Sequence, residues 1–183
     1  MSWIVIAVLA AVLLWAVLVF NRLVRARNQM RAGWADIDVQ LTRRHDLVPQ
    51  LVEAVRGYAG HEAAVLASVT ALRAQALATQ RPGQLAAIED ALEQGLGRLL
   101  ALREAYPDLQ ASSNFLQLQR DLVEVEEHLQ YARRFYNGAV RQLNDAVQRF
   151  PDLLVARLAG FRHGEFYRAD DGERVAPRIG PSP

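Results

Sequence analysis

From Trp3 to Phe20 the chain is apolar without interruption, and Arg22, Arg25, Arg27 and Arg31 follow at once. At about 1.5 Å per helical residue, such a run is just long enough to cross a hydrocarbon core of roughly 30 Å. A segment of this kind is either a membrane span or a cleaved export signal. A signal carries its positive charge before the apolar stretch and small residues at a cleavage site after it. Here the charge comes after, and the run ends in Val19-Phe20-Asn21-Arg22. The sequence therefore reads as an anchor. Positive charge beside a span stays cytoplasmic. With only Met1 and Ser2 ahead of the run, the expected topology is single-pass, with the N-terminus outside and the rest of the chain cytoplasmic. Arg22, Arg25, Arg27 and Arg31 are the expected lipid contacts.

The 183 residues leave room for one domain after the anchor. A net charge of +1 gives no global nucleic-acid signature, so no nucleic-acid partner is expected. The absence of cysteine removes disulfides, thiolate metal sites and cysteine nucleophiles. Every basic residue other than histidine is arginine. A Walker-type phosphate loop and a Schiff base both need a lysine, so neither is present.

Downstream of the anchor the periodicity is helical. Proline and glycine cluster at Gly57 to Gly60, at Arg81-Pro82-Gly83, at Pro107 and from Pro151 onward, marking turns. Between them lie helices over about 21–58, 61–80, 84–106 and 113–149, with no strand-like alternation. The last helix carries an unbroken heptad seam from Phe115 through Leu122, Leu129, Tyr136 and Leu143 to Phe150. Asn114 and Gln117 have the spacing of a capping box at its start. The first helix carries a matching seam through Leu23, Met30, Trp34, Leu41, Arg44, Leu51 and Tyr58, with Pro49 expected to bend it. Leu85, Ile88, Leu92, Leu96 and Leu99 repeat along the third helix, where Gly95 and Gly97 point to close helix contact.

Helix lengths constrain the assembly. Helices one and four are each roughly 55–60 Å long and the other two about half that. Short turns make neighbours antiparallel. The expected fold is all-α: a single transmembrane helix (1–20) continuing into an antiparallel four-helix bundle (21–161) with long first and fourth helices, then a flexible tail (162–183). The seams nearest the membrane are wider than two helices can bury. Leu23, Met30, Trp34, Tyr136, Leu143 and Phe150 are therefore the expected surface for homo-oligomerisation. The apolar segment Asp152–Phe161 is expected to pack on the bundle or lie on lipid.

Candidate chemistry is sparse. His61-Glu62 begins like a zinc-protease helix, but Val65 stands where the second histidine belongs. A di-iron bundle site needs Glu-x-x-His on two helices. Val125 precedes His128 by three and Tyr58 precedes His61 by three, so neither histidine qualifies. Glu124 and His128 read as an exposed helical pair. Tyr58, Tyr106, Tyr131 and Tyr136 read as core edges. Arg44 occupies a seam position, where a charge must be paired. Counting rise from the far turn puts Glu126 and Glu127 at its height, as its expected ion-pair partners. No catalytic set, metal or cofactor is expected.

The stretch Ile37–Glu62 (IDVQLTRRHDLVPQLVEAVRGYAGHE) resembles the LemA family. So do Glu104–Phe115 (EAYPDLQASSNF), Ala132–Asn137 (ARRFYN), Phe150-Pro151 and Gly160-Phe161. The resemblance runs in register from about Asn21 to Tyr167. It implies a bacterial protein anchored in the plasma (inner) membrane with a cytoplasmic helical bundle, and it implies no reaction. The first functional expectation is a self-assembling membrane scaffold without catalytic activity, with the bilayer and copies of itself as partners. The alternative is a signalling or sensor protein that binds a ligand or another membrane protein through Arg44 and the polar residues near Asn137.

Overall fold

The computed structural model describes residues 1–167; the part of the expected tail over 168–183 lies outside the described residues. The order is α1 (Ser2–Arg56), α2 (Ala63–Leu77), α3 (Pro82–Ala101), a 3-10 turn (Leu102–Glu104), α4 (Pro107–Ala111), α5 (Ser113–Gln148) and α6 (Asp152–Leu158). No strand occurs among the described residues. The anchor and the first expected helix are one continuous α-helix. Pro49 sits inside it without ending it.

The chain divides into two compact units, residues 1–41 with 127–166 and residues 42–126 with the segment from Tyr167. In the first unit, α1 is apolar and exposed through Leu14, with Val17 and Leu18 also exposed. It is the one helix among those described that is long and apolar enough to cross a membrane. From Val19 onward its character changes. Val19, Leu23 and Ala26 pack with Leu143 and Ala146 of α5 and with Ala156 and Phe161. Each such buried leucine contributes roughly 1.5–3 kcal/mol. Gly33 permits a close approach to α5, since a Cβ there would stand 3.0 Å from Phe135 Cδ1 and 3.0 Å from Tyr136 Cα.

The tail is expected to be flexible from residue 162, yet Gly164 and Glu165 are held to α5. Gly160, at φ +70°, ends α6 in a Schellman turn: Phe161 N–H donates to Ala156 O and Gly160 N–H to Arg157 O. The chain is then held to α5. Asn144 Nδ2 donates to Gly164 O at 3.1 Å, Gly164 N–H donates to Asn144 Oδ1 at 2.8 Å, and Tyr136 Oη donates to Glu165 O at 2.7 Å.

The second unit builds its core from the C-terminal part of α1, α2, α3, α4 and the N-terminal part of α5. Val48, Leu51, Val69, Leu92, Leu109 and Phe115 form its centre. Gly95 lets α3 approach α2, with a Cβ there only 3.0 Å from Val69 Cγ2, whereas Gly97 has nothing within 4 Å. The cap of α5 falls on Ser112, whose hydroxyl accepts from Phe115 N–H, and not on Asn114.

Candidate functional site

A seam charge needs a partner, and Arg44, at 2% exposure, has more than one. Its Nη1 donates to Glu89 Oε2 at 3.1 Å, and its Nη2 meets Glu126 and lies 3.8 Å from Glu93 Oε2. Glu89 has no solvent exposure. Its second oxygen, Oε1, is 2.6 Å from His45 Nε2, which donates to it. Glu127, the other expected partner of Arg44, is exposed. The expected pair is therefore a network with Glu89 at its centre. Glu89 had a legible signal: Leu85, Glu89, Leu92, Leu96 and Leu99 step by four and three, which makes the acid a seam residue. Ile88, assigned to the seam by sequence, is only partly buried.

One further contact completes this centre. In a regular helix the N–H of residue 49 would bond the carbonyl of residue 45. Pro49 has no N–H. Arg73 of α2 supplies the donor instead, with its Nε 2.7 Å from His45 O. The network thus ties α1, α2, α3 and α5 together within the second unit. Its carboxylates and guanidinium are spent on one another, so what it does chemically is fix which helix faces meet. Among the described residues no group of His, Asp and Glu is arranged to hold a metal.

The first unit presents a different set of polar groups just past the apolar run. Arg22 Nη1 donates to Asp152 Oδ2 at 3.1 Å, and Asp152 is buried. The guanidinium of Arg27 lies 4.9 Å over the ring of Phe161, which also meets Phe20 edge-on at 5.9 Å. Arg25 Nε donates to Asn21 O, and Arg31 is exposed. A cleft of about 420 Å³ opens here, lined by Arg22, Arg25, Gln29, Gln142, Asp145 and Arg149 among others. Of the four arginines expected on lipid, two are thus engaged with α6 and the segment after it.

The expected homo-oligomer surface is largely internal. Leu23, Tyr136 and Leu143 are buried within one chain, and Met30 and Trp34 are half-buried. Met30 Sδ lies so close to Gly164 that a Cβ there would stand 2.6 Å from it, and Trp34 packs on Tyr136 with centroids 5.5 Å apart. Only Phe150, 74% exposed, remains open. The reason is the returning chain: α6 and residues 160–166 fill the space that two helices leave. Burial, and secondarily the negative charge of Glu165, hold the Tyr136 hydroxyl above its usual ionisation range.

The profile of the LemA family matches residues 33–180. The magnetosome proteins MamQ 1 and MamQ 2 of Paramagnetospirillum magneticum are each 24% identical over 206 residues, spanning 96% of this chain and 76% of their own length. Protein LemA of Metamycoplasma hominis is 24% identical over 159 residues, 85% of this chain and 71% of its own.

Proposed function

The chain belongs to the LemA family, and from that premise we propose a membrane-anchored, self-assembling helical scaffold without catalytic activity. The observation that carries this reading is the exposed apolar start of α1, continuous in one helix with the packed part of the chain. The proposed topology is single-pass in the bacterial inner membrane, with the N-terminus outside and the domain cytoplasmic as an antiparallel four-helix bundle. A reporter enzyme active only outside the cytoplasm, fused after Pro183, should be silent; strong activity would reverse the topology.

Self-assembly needs a surface other than the covered seam. Tyr131 and Phe135, four apart on α5, are 67% and 43% exposed, and Tyr131 is the proposed centre of the contact between copies. Sizing of the detergent-solubilised protein tests this. A large homogeneous particle that shrinks with Tyr131→Glu supports the scaffold. A monomer or dimer favours the sensor reading instead. That second reading draws on a cleft of about 330 Å³ in the second unit, beside Arg43, Asp46 and Asp121.

A further inference from the structure

The cleft in the first unit has a composition and a place that its packing role does not explain. Three arginines, Arg22, Arg25 and Arg149, line it against two acids, Asp145 and Asp152. Arg22 and Asp152 satisfy each other. Among the described residues, the guanidinium of Arg25 reaches the carbonyl of Asn21 through Nε, and that of Arg149 has no hydrogen bond or ion pair. Gln29 and Gln142 add neutral amides. Two guanidinium groups with amide donors beside them suit an oxyanion that accepts several charge-assisted bonds at once. At about 420 Å³ the cleft exceeds what a bare ion needs. It falls within the roughly 300–1,000 Å³ of small-molecule sites.

Height decides which anion. The apolar run ends at Phe20, so Arg22 and Arg25 stand roughly 3 and 8 Å beyond it at 1.5 Å per residue. The headgroup layer on each face of a bilayer is about 5–8 Å thick. These arginines therefore lie at headgroup depth. Directly before them, Leu14, Val17 and Leu18 of α1 are exposed and apolar, and Leu154 and Leu158 of α6 point outward at 51% and 90% exposure. An acyl chain has a surface to follow from that cleft.

We propose that this cleft binds the glycerophosphate headgroup of an anionic phospholipid, with Arg25 and Arg149 holding the phosphate oxygens and Gln29 and Gln142 beside the glycerol. Asp145 sets the strength of the site by opposing the anion. The proposal rests on the membrane-anchored reading, and the test separates the two.

The full chain is reconstituted into phosphatidylcholine nanodiscs containing a minority of phosphatidylglycerol, released, and its retained lipid identified by native mass spectrometry. Phosphatidylglycerol should be enriched. Arg25→Gln with Arg149→Gln should weaken retention about tenfold or more, as expected for lost charge-assisted bonds. Asp145→Asn should strengthen retention, a change that a folding defect would not produce. Arg31→Gln, outside the cleft, should leave it unchanged. Equal retention by all four proteins would overturn the proposal. So would binding of free glycerol 3-phosphate by the solubilised protein at least as tight as that of the lipid, since the ligand would then be a soluble phosphate. A chain that fails to enter nanodiscs would instead sink the anchor. A chain that enters and shows no headgroup preference sinks only the cleft.

Discussion

Arg73 Nε donates to the carbonyl oxygen of His45 at 2.7 Å, the carbonyl that Pro49 leaves without its helical donor. An orphaned carbonyl in a helix interior costs roughly 1–3 kcal/mol when it is cut off from water. Arg73→Met should therefore destabilise the second unit by about that amount. Pro49→Ala restores the missing N–H, so Arg73→Met in that background should cost clearly less. Urea unfolding of the four proteins measures the coupling. Additive losses would mean that Arg73 acts by packing alone.

Arg44 and Glu89 form the buried centre of the same unit, at 2% and 0% side-chain exposure. Arg44→Met leaves the buried Glu89 carboxylate without its cation, a loss of roughly 3–5 kcal/mol; Glu89→Leu leaves Arg44 to Glu126 and Glu93 and takes the acceptor from His45. The double variant should recover much of the Arg44→Met loss, because an apolar pair of similar size avoids both desolvation costs. Glu126→Gln should cost less than Glu89→Leu, since Glu126 keeps 23% exposure and water screens its absence. Thermal unfolding ranks the four variants. A larger loss at Glu126 would remove Glu89 from the centre.

Much of this was legible from sequence, and the gaps have physical causes. The α5 seam reads correctly from Phe115 to Ala146 because each of its apolar positions must meet another helix. The long apolar start of α1 reads from its length and its uninterrupted apolar residues. Arg44 announced itself as a charge on a seam, but Glu89 was hidden behind Ile88, which completes an equally regular apolar repeat. The donor from Arg73 could not be read, because contacts between α1 and α2 depend on tertiary placement and not on spacing. The largest departure concerns what covers Leu23 and Leu143: sequence assigned that seam to contact between copies, and left open whether Asp152–Phe161 packs on the bundle or lies on lipid. The turn at Gly160 and the amide of Asn144, which send the chain back across α5, are local details without periodicity.

Tyr136 joins the cover to α5 through its bond to Glu165 O. Its ionisation is raised in the folded chain, first by burial and then by the charge of Glu165. The neutral hydroxyl is thus the form that the fold stabilises. This contribution is fully present below the unfolded value of about 10 and is lost as pH rises through the higher folded value. Near-ultraviolet circular dichroism, to which the packed Trp34–Tyr136 pair contributes, should decline above pH 10. Tyr136→Phe should flatten that decline while costing roughly 0.5–1.5 kcal/mol at neutral pH. Identical alkaline profiles would remove Tyr136 as the titrating group.

Two leucines distinguish the internal seam from the exposed face of α6. Leu143 is 2% exposed, in the cluster with Leu23 and Phe161. Leu143→Glu loses roughly 2–5 kcal/mol of packing, as a truncation would, and adds the cost of a carboxylate without a partner. It should unlatch residues 160–166, seen as loss of the Trp34 signal and as cleavage after Arg157 or Arg162 by trypsin. Leu158, on the outer side of α6, is 90% exposed. Leu158→Glu should change stability by no more than about 0.5 kcal/mol in detergent. In vesicles the same change should expose α6 to trypsin, because a carboxylate opposes seating of that face on the acyl boundary. If Leu143→Glu instead leaves the fold intact and only reduces particle size, the seam is an interface between copies after all. If Leu158→Glu is protected in vesicles like the parent, α6 does not rest on lipid.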